Sequence, residues 1–174
     1  GKTDQVWNGL AMINPVGIGE VVPNAEIRQA NAYFSSSDGK FNTRYEAQEH
    51  FDQLRKGTVQ VKGGWRIYSS GPGIYMNQLI SNALGIRQEG GDLVIDPVLP
   101  AELDGMQFEF EYAGEPVTFI YHLNEGAVNR VTVNGKEIRT EVTANRYRQG
   151  GVCISLDEFR QLRTSDRTIV DIYM

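Results

Sequence analysis

Apolar and polar positions change rhythm partway along the chain. Residues 1–41 scatter apolar groups among Pro15, Pro23 and the run Ser35-Ser36-Ser37-Asp38-Gly39, with no sustained period, and predict mostly ordered loop with short elements. Thr43 is placed to cap a helix, with Glu46 as its capping-box partner. Ala47, Phe51 and Leu54 then recur at helical spacing as far as Gly57. A second helix is predicted over residues 73–84, where Met76, Leu79, Ile80, Ala83 and Leu84 form one apolar stripe and Gly85 supplies a stop. Beyond Gly90 the period falls to two. Leu93-Val94-Ile95 ends at Asp96-Pro97, and Phe108, Phe110 and Tyr112 alternate with Glu109 and Glu111. A turn is expected at Gly114-Glu115-Pro116, after which Val117, Phe119, Tyr121 and Leu123 alternate again. Val131 and Val133 lead into Asn134-Gly135, a strong hairpin signal. Residues 152–156 and 168–173 predict two further strands, with a short helix over 157–161 between them. The expected class is α+β: helices and loop over residues 1–88, then an antiparallel, jelly-roll-like β-sandwich over 89–174.

Composition narrows the function more than the fold. Of 174 residues, 40% are hydrophobic and 22% charged, which suits a globular domain with its own core. A net charge of -5 argues against a nucleic-acid or anionic-membrane partner, and no apolar run approaches the ~18 residues of a membrane span. The single Cys153 rules out an internal disulfide and fits a reducing, cytoplasmic setting. The opening Gly1-Lys2-Thr3, without methionine, fits a start cut from something longer or a tag scar.

The densest chemical signal is Lys62-Gly63-Gly64-Trp65-Arg66-Ile67-Tyr68-Ser69-Ser70-Gly71-Pro72-Gly73. Ser70 or Gly71 suits the N-cap of the second helix, and Pro72 suits its first position, where a missing N–H costs nothing. A helix start offers unpaired N–H groups and partial positive charge. The glycines allow an anion close to the backbone, while the Ser69 and Ser70 hydroxyls and Arg66 add donors. That assembly suits a phosphate site; the same residues equally suit a capped helix start with no ligand at all. The spacing is not that of a Walker loop. Trp65, Tyr33, Tyr68 and Tyr75 offer ring faces for a sugar or for the core, and Arg28 offers a donor for phosphate or hydroxyl groups. Two histidines, His50 and His122, and one cysteine give no metal spacing.

From Gly63 to Tyr75, then at Leu84-Gly85-Ile86-Arg87 and from Leu93 to Pro100, the sequence resembles glycoside hydrolase family 94. Tyr68-Ser69-Ser70-Gly71-Pro72-Gly73 and Asn31-Ala32-Tyr33-Phe34-Ser35-Ser36-Ser37-Asp38 are more similar to its β-1,2-glucan branch than to its cellobiose branch. The resemblance implies the last helices of an (α/α)6 barrel followed by a jelly-roll-like β domain. It also implies inverting phosphorolysis of β-glucosides, with inorganic phosphate as co-substrate and no cofactor or metal. The resemblance puts phosphate contacts on Ser69 and Ser70; the chemistry of the residues adds Gly71 and Arg66 for phosphate, and Trp65, Tyr33 and Arg28 for the sugar.

Two departures qualify the resemblance. The family's general acid lies in an upstream Trp-Asn-Asp segment, and Trp7-Asn8-Gly9 does not supply it, so no catalytic residue is assigned here. Ile18 occupies the slot of a phosphate-binding histidine in Asn14-Pro15-Val16-Gly17-Ile18. Glu20, Glu26 and Asp38 remain carboxylates that could line a cleft or merely face solvent. Too few helices are present to close a barrel, so the apolar stripe needs a cover: the β domain, a second copy, or the missing barrel. The alternative is a stand-alone carbohydrate-binding, anion-binding or assembly domain without catalysis.

Overall fold

Strand pairing decides the architecture, and in a computed structural model it forms two sheets in one half of the chain and a small parallel pair in the other. The structure describes residues 2–14, 20, 23, 25–27, 39–63, 72–124, 126–146, 148–164 and 166–174. Contacts divide the chain into two units, Asp4–Leu79 and Ile80–Met174, the latter taking in the first three residues.

In the first unit, helix α1 (Thr3–Ile13) precedes strands β1 (Ala25–Ile27) and β2 (Val61–Gly63), which pair in parallel with Ile27 opposite Gly63. Helix α2 (Arg44–Glu49) starts where expected. The Thr43 hydroxyl accepts from the Glu46 N–H at 3.1 Å, and the Glu46 carboxylate accepts from the Asn42 N–H at 2.8 Å. The helix expected to run on to Gly57 instead stops at His50 and restarts as α3 (Asp52–Arg55). Phe51, one of the residues at helical spacing, is 56% exposed, so apolar packing that would sustain a longer helix is missing there. Helix α4 (Pro72–Asn77) begins at Pro72, then widens into a π-helical turn over Gln78–Ala83.

The second unit carries the core. Strand β3 (Ile86–Glu89) forms a hairpin with β4 (Asp92–Ile95) about Gly90-Gly91, so position 88/89 lies inside a strand. Further strands are β5 (Gln107–Tyr112), β6 (Glu115–His122), β7 (Arg130–Val133), β8 (Lys136–Glu137), β9 (Glu141–Val142), β10 (Val152–Ile154) and β11 (Thr168–Tyr173). Helix α5 (Leu156–Leu162) sits between the last two, and the Asp92 carboxylate accepts from the Leu156 N–H at its start. One sheet has the order β3-β4-β10-β9, the other β5-β6-β11-β7-β8.

Two expectations are corrected by this pairing. The turn before β6 lies one residue earlier, at Ala113-Gly114, both with positive φ, and Pro116 belongs to the strand. Pro116 is tolerated because β11 joins β6 only from Val117 onward, so no ladder bond is lost. The sheets are also not wholly antiparallel: β11 runs parallel to β6 and antiparallel to β7. A long connection between β6 and β11 permits this, whereas a short turn would not. The Asn134-Gly135 hairpin forms as expected, with φ of 50° and 76°. The Asn134 side chain additionally donates to Leu162 O and accepts from Ile169 N–H, tying the turn to α5 and β11.

Val117, Phe119, Tyr121, Val131, Val133, Val170 and Ile172 bury one face of the five-stranded sheet, and Leu93, Ile95 and Ile154 are buried from the other sheet. Two tyrosines stitch the parts together: Tyr121 donates to Leu84 O at 2.9 Å, and Tyr112 to Gly91 O at 3.0 Å. Tyr112 also meets the buried Phe159 edge-on at 4.9 Å.

The tightest point is Asp96, 4% exposed. Arg148 lies 2.7 Å from Oδ1, off the line of a good hydrogen bond, and donates to Asp96 O at 3.2 Å; Arg87 lies 3.6 Å from Oδ2. A Cβ at Gly85 (φ +72°) would fall 2.3 Å from the Asp96 carbonyl carbon, and one at Gly151 would fall 2.6 Å from Asp96 Cα. Backbone from the helix end and from the loop before β10 therefore closes on this one carboxylate.

Replacing Asp96 by Asn leaves the Arg148 guanidinium without its counter-charge, while Arg87 keeps Glu89 at 2.6 Å. The expected loss is about 3 kcal/mol or more in urea unfolding, as for one broken member of a buried pair; a loss below about 1 kcal/mol would show that the clamp does not hold the unit. Alkaline titration gives a second check. Burial, then the Asp92 charge, pushes the Tyr112 phenol up to about 12, and burial pushes Tyr121 up as well. The folded chain thus keeps protons that the unfolded chain releases near pH 10, so stability is full below that pH and falls as pH rises toward 12. Tyr112→Phe should flatten this alkaline decline in melting temperature.

Candidate functional site

The residues expected to bind ligand flank a strand pair and a helix start. Because β1 and β2 are parallel and end together at Ile27 and Gly63, the chain leaves both strands at the same end of the pair. Arg28 follows one strand directly, and the glycine- and serine-rich segment follows the other and leads into α4 at Pro72. Ligand sites commonly lie beyond the carboxyl ends of parallel strands, where backbone turns away from its ladder and a helix start follows. The residues Arg28, Tyr33, Trp65, Arg66, Ser69, Ser70 and Gly71 themselves lie outside the described residues, as does Ile18. Tyr75, one turn into the helix, is half-buried, and burial pushes its phenol upward.

Other chemistry-bearing side chains are accounted for by packing. His122 lies 2.9 Å from Asp171, which also accepts from the Thr132 hydroxyl at 3.2 Å. The same imidazole stacks on Tyr173 at 4.4 Å, and the Arg130 guanidinium sits 3.9 Å from the centre of that ring. This ladder crosses β6, β11 and β7, a structural role for a histidine that has no second ligand near it. His50 is exposed. The Cys153 thiol is pushed up by burial and then by Asp92, Glu141 and Glu89, which makes it a poor nucleophile. Among the described residues no cluster of His, Cys, Asp or Glu could hold a metal ion, and no helix is long and apolar enough to cross a membrane.

Sequence reasoning missed the Asp96 clamp. Asp96-Pro97 reads as a strand stop, and its partner Arg148 lies 52 residues away. The only available signal was a charged residue directly after three residues of pure core.

Comparison with known proteins gives the lineage. Residues 85–173 match the glycoside phosphorylase C-terminal domain. Over 149 residues, 85% of the chain, the sequence is 50% identical to a 1,2-β-oligoglucan phosphorylase of Listeria innocua, covering 13% of that protein. Over 113 residues, 65% of the chain, it is 26% identical to the cyclic β-(1,2)-glucan synthase NdvB of Rhizobium meliloti, covering 4% of it. The chain thus spans a small fraction of the length of these relatives. The Listeria match is longer than the family match, so likeness reaches into the residues before Gly85 as well. The resemblance seen in the sequence motifs therefore holds, and the chain belongs to the glycoside phosphorylase C-terminal domain family.

Proposed function

We propose that this chain is the carboxyl-terminal segment of an inverting glycoside phosphorylase acting on β-1,2-linked gluco-oligosaccharides. The observation that carries the reading is half identity to a 1,2-β-oligoglucan phosphorylase across 85% of the chain. The common end of β1 and β2, with α4 starting just beyond, supports a phosphate site built by Ser69, Ser70, Gly71 and Arg66, with Arg28, Tyr33 and Trp65 toward the sugar. In this scheme the C1–O bond to the leaving sugar breaks as phosphate oxygen attacks C1 from the opposite face, giving an α-sugar 1-phosphate. A carboxylic acid protonates the departing oxygen. Phosphate is already an anion, so no second carboxylate is required to activate it. The acid comes from outside these 174 residues, which leaves the chain inactive alone.

Within that assembly, Asp4–Leu79 supplies terminal helices of the (α/α)6 barrel, and the β unit is its jelly-roll-like companion. Exposure supports the need for a partner: Val6, Ile13, Tyr45, Phe51, Ile74 and Met76 are all exposed, and all belong to Asp4–Leu79. The remaining barrel is the covering surface in this reading. A cytoplasmic setting suits an enzyme that spends inorganic phosphate to make a retained sugar phosphate.

The test combines binding with turnover. Calorimetric titration of inorganic phosphate should show affinity reduced at least tenfold in the Ser69→Ala, Ser70→Ala double variant; equal affinity would remove the loop from the site. Incubation of the chain with sophorose and phosphate should yield no glucose 1-phosphate. Measurable product would place an acid within the chain and sink that part of the proposal.

A further inference from the structure

One side of the β unit is left open. Strand β3 pairs only with β4, and β5 only with β6, so among the described residues both are edge strands of their sheets. They share a cleft of about 290 Å³, lined by Ile86, Arg87, Gln88, Leu93, Phe110 and Tyr112, together with Glu111 and the Ala113-Gly114 turn. Phe110 is 41% exposed at this cleft, although every other large apolar residue of the unit except Val142 is less exposed among the described residues.

Phe110 is also held in place. Its ring stacks on Phe108 at 5.4 Å and 20°, and Phe108 stacks on the fully buried Phe119 at 6.3 Å and 26°. The series runs from core to surface and ends on Phe110, so the exposed ring has its orientation set from below. Tyr112 forms a second wall, fixed by its bond to Gly91 O and by the edge of Phe159.

We infer that this cleft is a further sugar-binding site, taking one hexose unit of a neutral glucan against the Phe110 ring and built from none of the residues of the proposed phosphate loop. A pyranose presents an apolar C–H face and a rim of hydroxyls, each able to donate and accept, so it matches an aromatic platform beside mixed polar groups. Such a group is present: Gln88 lines the cleft, and its amide is held in place by donating to Gly91 O at 3.2 Å. The Arg87 guanidinium is already committed to Glu89 and Asp96, which makes it a fixed donor rather than a mobile charge. The volume sits at the lower end of small-molecule sites, roughly 300–1,000 Å³, and suits one ring rather than a helix. A second copy of the chain is a poor occupant, because symmetric antiparallel pairing of β5 edges centred on Phe110 sets Glu109 of each copy against Glu111 of the other. The choice of glucan as the sugar rests on the proposed function; the ring-and-hydroxyl fit does not.

Affinity electrophoresis of the 174-residue chain through gels containing β-1,2-glucan tests the site. Retardation is expected for the chain and for the Ser69→Ala, Ser70→Ala variant. It should persist in Phe110→Trp and Phe110→Tyr, which keep a flat ring, and fall at least tenfold in apparent affinity in Phe110→Leu, which keeps bulk without one. The leucine variant's melting curve checks that it is folded. No retardation of the parent chain overturns the inference, as does equal retardation of Phe110→Leu. Retardation abolished by the double serine variant alone also overturns it while leaving the phosphate loop standing. Concentration-dependent doubling of mass without retardation marks the cleft as an interface between copies, against the inference. If phosphate binding is insensitive to Ser69 and Ser70 while the Phe110 series behaves as stated, the proposed loop falls and the cleft remains.

Discussion

Everything in the β unit converges on a carboxylate with almost no access to water. Asp96 follows three core residues and cannot face solvent. Its charge is tolerable because Arg148 and Arg87 approach it, while the backbone at Gly85 and Gly151 packs too closely against it to admit a side chain. The geometry works in both directions. The arginines make burial of the carboxylate bearable, and the carboxylate gives the loop before β10 a fixed place against the end of β4. Thr143 reinforces this by donating to Gly151 O from both its N–H and its hydroxyl. Hydrophobic burial in the two sheets supplies bulk stabilisation, but a directional contact of this kind selects one closure among several that would bury similar area.

How far the sequence foretold this depends on the range of the interaction. Period-two alternation at residues 168–173 appears in the structure as strict alternation of buried and half-buried side chains along β11. Asn134-Gly135 turns where its residue types demand left-handed backbone. These are local properties, fixed by sterics within a few residues. Which strands become neighbours is a different matter. Alternation reveals a face but not a partner, so the parallel union of β11 with β6 left no trace in the pattern. The extra turn chemistry at Ala113 was hidden for a related reason: alanine seldom occupies positive φ, and Pro116 looked like the better breaker.

The candidate site was legible in another way. A glycine- and serine-rich stretch before Pro72 announced a helix start that could receive an anion, and α4 does begin at Pro72. What no periodicity could announce was the parallel pairing of β1 with β2, which brings the exits toward Arg28 and toward Ser69 to one end. Three-residue strands carry too little pattern to be recognised singly. Their significance is only positional, and it emerges from pairing across more than thirty intervening residues.

The central position of β11 has a consequence for how the molecule comes into being. Its neighbours β6 and β7 have no ladder to each other and are joined only through Thr168–Tyr173, which follows both in the chain. On a ribosome, the hairpins β5-β6 and β7-β8 can form as they emerge, yet each presents an unpaired inner edge until the final strand is delivered between them. The sheet is therefore closed by a keystone laid last, and the interval before it arrives is the period in which the nascent chain is most open to wrong partners.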